Sequence, residues 1–92
     1  MKFSISHTRA LAGNDISVTV DADGGAAIQS VLTKLDGFTL AEDQLAAPSD
    51  IYERIFSGVG TAGIGTEHTL IVSATLEDGH IHSSTSMWTD PS

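Results

Sequence analysis

The sequence predicts an all-β fold, an antiparallel Greek-key sandwich of six to seven strands. Three observations carry this expectation. Short runs alternate apolar side chains with Ser and Thr, turn-forming Gly, Asn and Asp residues interrupt them about every ten residues, and one longer connection is left over. The composition agrees, because 40% of the residues are hydrophobic and only 17% charged, leaving Ser, Thr and Gly to supply much of the polar surface. At 92 residues there is room for one core, so residues 1–92 read as a single domain.

Taken in order, residues 2–8 set Phe3 and Ile5 against Lys2, Ser4 and Ser6, and residues 15–21 set Ile16, Val18 and Val20 against Ser17, Thr19 and Asp21. Both are half-buried strands, and the turn residues Gly13, Asn14 and Asp15 make them neighbours. Residues 26–35 satisfy two periods, since Ile28, Val31, Leu32 and Leu35 have helical spacing while Val31, Thr33 and Leu35 alternate. The strand is preferred because Asp36-Gly37 suits a tight hairpin turn with positive φ, which places Leu35 opposite Phe38 and Thr33 opposite Leu40. The alternative is an α+β domain with a helix at about 25–35, capped near Gly37. Residues 41–50 read as a polar crossover with one helical turn before Pro48. Tyr52, Arg54 and Phe56 share one face of a further strand and Ile51 and Ile55 the other, and the glycine-rich stretch 58–65 ends it.

The last third carries the clearest pattern. Leu70, Val72, Ala74 and Leu76 alternate with more polar positions up to Asp78-Gly79, a strong hairpin signal. A two-residue turn pairs Leu76 with Ile81 and Leu70 with Met87 on the core side, and sends Ile71, His80, His82 and Trp88 outward. A three-residue turn with Gly79 in a bulge reverses the second strand. The first register is preferred, because the second directs two histidines inward.

Within this region, Glu67-His68-Thr69-Leu70-Ile71-Val72-Ser73-Ala74-Thr75 followed by Asp78-Gly79 resembles the penultimate strand and turn of bacterial immunoglobulin-like modules, where a Gly-x-His-Thr-Leu-x-Val-x-Ala pattern precedes a Gly-containing turn. The spacing Gly65-Thr66-Glu67-His68 is one residue longer than in that pattern. The resemblance covers about 25 residues and implies an immunoglobulin-like fold, and with it a spacer, adhesive domain or appendage of a larger protein. The antibody-type Cys and Trp core is absent.

Charge and composition exclude several functions. Twelve acidic against four basic residues give a net charge of −8, which repels nucleic-acid backbones and anionic membrane surfaces. The absence of cysteine removes disulfides, thiolate zinc sites and thiol nucleophiles. Residues 1–7 show no apolar stretch of signal-peptide type, so the chain as written reads as cytoplasmic, or as a module excised from an exported protein.

Four constellations merit chemical weighing. Gly58, Gly60 and Gly63 match GxGxxG, but the residues that follow lead into a strand where a phosphate cradle needs a helix, so the stretch reads as a partner-binding loop. His80 and His82 sit on one side of a strand about 7 Å apart. With Glu77 across the hairpin they could begin a divalent metal site, and the competing reading is two solvated histidines. Asp21 and Asp23 with Gly24 match only a fragment of a calcium loop. Outward Trp88 and Ile71 would anchor a protein or a sugar ring, and the equal alternative, decided by the register, is that Trp88 closes one end of the core. No nucleophile elbow or carboxylate pair in a cleft is evident, so the expected role is a noncatalytic binding or structural module with a protein or glycan partner, and with homo-oligomerisation through sheet edges as a further expectation. The alternatives are a metal-binding domain built on His80 and His82, and a small hydrolase.

Overall fold

The computed structural model describes residues 1–10, 13–59 and 66–89, and the side chains of all of these except 9, 10 and 13. Seven strands follow one another: β1 Lys2–Ala10, β2 Gly13–Asp21, β3 Ile28–Leu35, β4 Phe38–Ser49, β5 Ile51–Val59, β6 Glu67–Leu76 and β7 Ile81–Thr89. They form a three-stranded sheet of order β1-β2-β5 and a four-stranded sheet of order β4-β3-β6-β7, with every pairing antiparallel. The Cα envelope is elongated, 43 × 20 × 19 Å, with all seven strands running along its length. Lys2 therefore lies at one end of the sandwich, beside Asp21 and Ile51, and Thr89 at the other, beside Glu67.

The strand reading of 26–35 holds, and with it the all-β class. Asp36 and Gly37 have φ of 51° and 85°, the two positive values that a two-residue hairpin turn requires, and Leu35 faces Phe38. Two residues further the expected register slips. Thr33 pairs with Ala41 because Leu40 is an extra residue bulged from β4. The polar crossover expected at 41–50 is instead the remainder of β4. Ala41 and Leu45 pack against the core from a strand that alternates, and Pro48 is tolerated because β4 is an edge strand that leaves the β3 ladder between Gln44 and Ser49. The chain then changes sheets at Asp50, whose carbonyl accepts the Ala22 N–H at 2.8 Å, joining the two inter-sheet links at that end.

The core lies between the sheets, with Ile16, Val18 and Val20 of β2 against Ile28 and Val31 of β3 and Leu70, Val72 and Ala74 of β6, all essentially inaccessible. The outward alternates are mostly Ser and Thr, so the period-two pattern of the sequence sorts directly onto the two faces of each sheet.

The β6–β7 register is the reverse of the preferred expectation. Thr75 pairs with Ile81, Ala74 with His82 and His68 with Trp88. The Leu76 N–H donates to His80 O at 2.8 Å, the Gly79 N–H donates to Leu76 O at 2.9 Å, and Gly79 has φ of 90°. Glu77, Asp78 and Gly79 thus form a three-residue turn in which glycine supplies the left-handed residue. Trp88 enters the core at 9% exposure, while Ile81 at 65% and Met87 at 70% turn to solvent. Trp88→Ala should therefore destabilise the fold by about 3–5 kcal/mol, whereas Met87→Ala should stay within about 0.5 kcal/mol of the parent. Urea unfolding of the two variants measures both, and equal losses would contradict this register.

Candidate functional site

Each open side of the sandwich is closed by polar and aromatic side chains, and these fix what the outer faces can present. On the β4–β5 side, Val31 pairs with Asp43 and Val18 with Arg54, so both charges stand on the inward side of edge strands. The Tyr52 hydroxyl donates to Asp43 Oδ2 at 2.5 Å, and Arg54 Nη1 donates to both carboxylate oxygens at 3.0 Å while its guanidinium carbon lies 5.2 Å from the Phe56 ring centroid. These bonds join the two sheets at the rim of an open concavity of about 570 Å³, which the unpaired part of β4 leaves beside β5. Burial, then the neighbouring Asp43 carboxylate, push the Tyr52 phenol well above its ordinary range.

On the β1–β7 side, the His7 ring stacks on Trp88 with centroids 4.4 Å apart and planes 13° from parallel. Trp88 also lies 5.5 Å from the buried His68 ring, whose Nδ1 is 2.6 Å from Asp36 Oδ2. The other Asp36 oxygen accepts the Thr69 N–H at 2.8 Å, and the Asp36 N–H donates to Thr69 O. The turn that ends β3 thereby locks onto the start of β6. Indole Nε1 of Trp88 is enclosed with no acceptor in reach among the described residues.

The outer face of the four-stranded sheet is where the expected partner-binding surface falls. Ile71 stands there, 38% exposed, with Met87 and Ile81 on the same side of the neighbouring β7. Around them lie Thr69, Ser73, Thr75, Ser83 and Thr85, and the Ser73 and Ser83 hydroxyls are 2.8 Å apart. On the β3–β4 half, Ser30, Leu32, Glu42 and Gln44 border a shallow concavity of about 330 Å³ that reaches across to Ser73 and Ile81. The β6–β7 half between Thr69 and Thr75 and between Ile81 and Thr89 carries no charged residue, in a chain of net charge −8.

Of the residues expected at a site, Ile71 is outward and Trp88 is not. Gly58 has φ of 64° at a bulge of β5, where its N–H donates to Asp15 Oδ1 at 3.0 Å, and Gly60 and Gly63 lie outside the described residues. His80 and His82 take the inward side of β7 rather than the outward one, yet both remain exposed. The His80 Nδ1 approaches Asp78 Oδ2 at 3.2 Å, and the His80 N–H holds the Asp78 carboxyl below its usual range. Glu77 is exposed in the turn and its N–H donates to Ala27 O. Among the described residues no group of three His, Cys, Asp or Glu side chains converges as a metal set. Asp21 Oδ1 is occupied by the Asp23 N–H at 2.8 Å.

The Asp43, Tyr52 and Arg54 cluster and the Asp36–His68 contact were not anticipated. Their signals were nevertheless present: Arg54 between Tyr52 and Phe56, and His68 in phase with Leu70 and Val72, are polar residues on an apolar face, which must find partners there. No helix of the described residues is long and apolar enough to cross a membrane. Comparison with known proteins returns no matching family model, curated protein or solved structure.

Because the phenol's folded-state pKa is raised, its contribution to stability is complete below about pH 10 and is lost as the pH climbs above that value. The chain has one tyrosine, so the phenolate absorbance that grows on alkaline titration reads Tyr52 alone, over an indole background from Trp88 that does not titrate. Alkaline titration is expected to show no phenolate until unfolding begins, and Tyr52→Phe should flatten the alkaline fall in stability. A phenolate signal near pH 10, the ordinary phenol range, in the still-folded protein would contradict the closed Asp43–Tyr52 contact.

Proposed function

We propose that this chain is a noncatalytic, immunoglobulin-like binding or structural module that presents the outer face of its four-stranded sheet to a protein partner. The observation that carries the reading is the uncharged β6–β7 half of that face, where Ile71, Ile81 and Met87 stand among Ser and Thr side chains. Such a surface is inexpensive to dehydrate and can still make hydrogen bonds, as the centre of a protein interface requires. A glycan is the weaker fit, because stacking on a sugar ring needs an exposed aromatic on that face: Trp88 is enclosed, and the exposed Phe38 pairs with inward Leu35 and so lies off it. The immunoglobulin-like assignment is supported by seven strands in two antiparallel sheets and by inter-sheet crossings between β2 and β3, β4 and β5, and β5 and β6. Its variation is that the fourth strand joins the third rather than the fifth, giving three plus four strands where constant-type domains have four plus three.

A photo-crosslinking side chain at Ser73, on the proposed face, should yield a discrete adduct with a second protein in cells. The same group at Ser6, on the outer face of the other sheet, should not, and Ile71→Glu should abolish the Ser73 adduct. Equal labelling from both positions, or none from Ser73, would sink the proposal.

A further inference from the structure

The sandwich has four edge strands, β1 and β5 in one sheet and β4 and β7 in the other. Exposed edges display unpaired N–H and C=O groups and are ordinarily protected by charge, proline, bulges or positive-φ glycine. Three of the four carry such protection. The β1 strand has Lys2 and Arg9 near its two ends, β4 has Glu42, Asp43, Pro48 and a bulge, and β5 has Glu53, Arg54 and the bulged Gly58. The β7 strand has none: its 9 residues, Ile81 to Thr89, include no Lys, Arg, Asp, Glu, Pro or Gly, and its ladder with β6 runs without a register shift.

The hydrogen-bond phase of β7 follows from the turn. Because the Leu76 N–H donates to His80 O, the alternation of an antiparallel ladder turns the amides and carbonyls of His82, Ser84, Ser86 and Trp88 toward β6. Those of Ile81, Ser83, Thr85, Met87 and Thr89 then point to the free edge. This set is symmetric about Thr85. An identical strand laid antiparallel against it meets Thr85 with Thr85, Ser83 with Met87 and Ile81 with Thr89, each a hydrogen-bonding pair. We propose that the free edge of β7 pairs in this register with β7 of a second copy of the chain, about a two-fold axis at Thr85, to make a continuous eight-stranded sheet.

Three features favour a second copy as the occupant. The register satisfies the free backbone groups of both edges at once, through about ten hydrogen bonds. The short Ser83 opposes the long Met87 on the outward side. And self-association of a chain of net charge −8 must take place where acidic residues are absent, a condition that β7 alone among the four edges combines with freedom from Lys and Arg. The pairing leaves the outer face uncovered and joins two copies of it side by side, so it goes beyond the binding reading without consuming its surface.

Sedimentation equilibrium of the purified protein alone tests this. The expected result is a species of twice the chain mass that forms as concentration rises toward about 1 mM. Thr85→Lys, which sets two ammonium groups beside the axis, should weaken it by about tenfold or more with the thermal unfolding midpoint preserved, while Gln44→Glu, on the same face at the opposite edge of the sheet, should leave it intact. The chain has no cysteine, so Thr85→Cys supplies an independent probe. Antiparallel hydrogen-bonded partners have Cα atoms about 5.5 Å apart, within disulfide range, and mild oxidation should crosslink the copies. A monomer at every concentration, association that survives Thr85→Lys, loss with Gln44→Glu, or failure of Thr85→Cys to crosslink would each overturn the pairing. Because no other protein is present, these outcomes are separate from the fate of the partner-binding proposal.

Discussion

In a strand, one residue more or less in the preceding turn exchanges every side chain between the two faces of the sheet. The three-residue Glu77–Asp78–Gly79 turn exerts that control here, with Gly79 in a left-handed conformation that other residues adopt poorly. It sends Trp88 inward, where His7 of β1 stacks on it and His68 of β6 lies beside it. It sends Ile81 and Met87 outward, giving the four-stranded sheet the apolar part of its exposed face. The same turn decides which backbone groups of β7 face β6 and which face solvent. Core completion, surface chemistry and edge character of the last strand all follow from one local geometry.

Closure of the two open sides uses different chemistry. On the β4–β5 side a carboxylate takes hydrogen bonds from a phenol and a guanidinium, so the inward-facing Asp43 and Arg54 neutralise one another at the rim. On the β1–β7 side the contact is aromatic, and it is tied to the opposite hairpin through His68 and Asp36. Asp36 serves two ends at once, since its backbone adopts the turn and its carboxylate holds both the His68 ring and the Thr69 amide. A left-handed aspartate beside a glycine is therefore a tertiary contact as well as a turn residue.

The seven strands were legible where alternation is strict, as in Ile16, Val18 and Val20 or Leu70, Val72 and Ala74, and where Asp36-Gly37 demanded a particular turn. They were less legible in β4, because Ala-Glu-Asp-Gln-Leu-Ala-Ala has good helix formers and its strand state is imposed by pairing with β3. The β7 phase was misjudged on the premise that an inward histidine is a buried one. At an edge strand the premise fails: His80 and His82 take the inward side near the turn and remain exposed, so only Trp88, further along and covered by β1, loses its water. Among the site residues Ile71 was legible as outward from its phase alone. Met87 and Ile81 were hidden by the register, and the Asp43 cluster by the misreading of β4, since a contact between two edges cannot be read before both are known to be strands.

The placement of the first and last strands has a mechanical meaning. Lys2 and Thr89 sit at opposite ends of a body 43 Å long, and β1 and β7 belong to different sheets. A pull applied between those two points runs parallel to the strands, and slides β1 along β2 and β7 along β6 rather than peeling them apart. Each ladder is then loaded along its whole length, so its hydrogen bonds resist together instead of breaking one after another. The stacked His7 and Trp88 rings join the two loaded strands, between which no ladder runs among the described residues. A load along that axis is therefore met by the two ladders in shear.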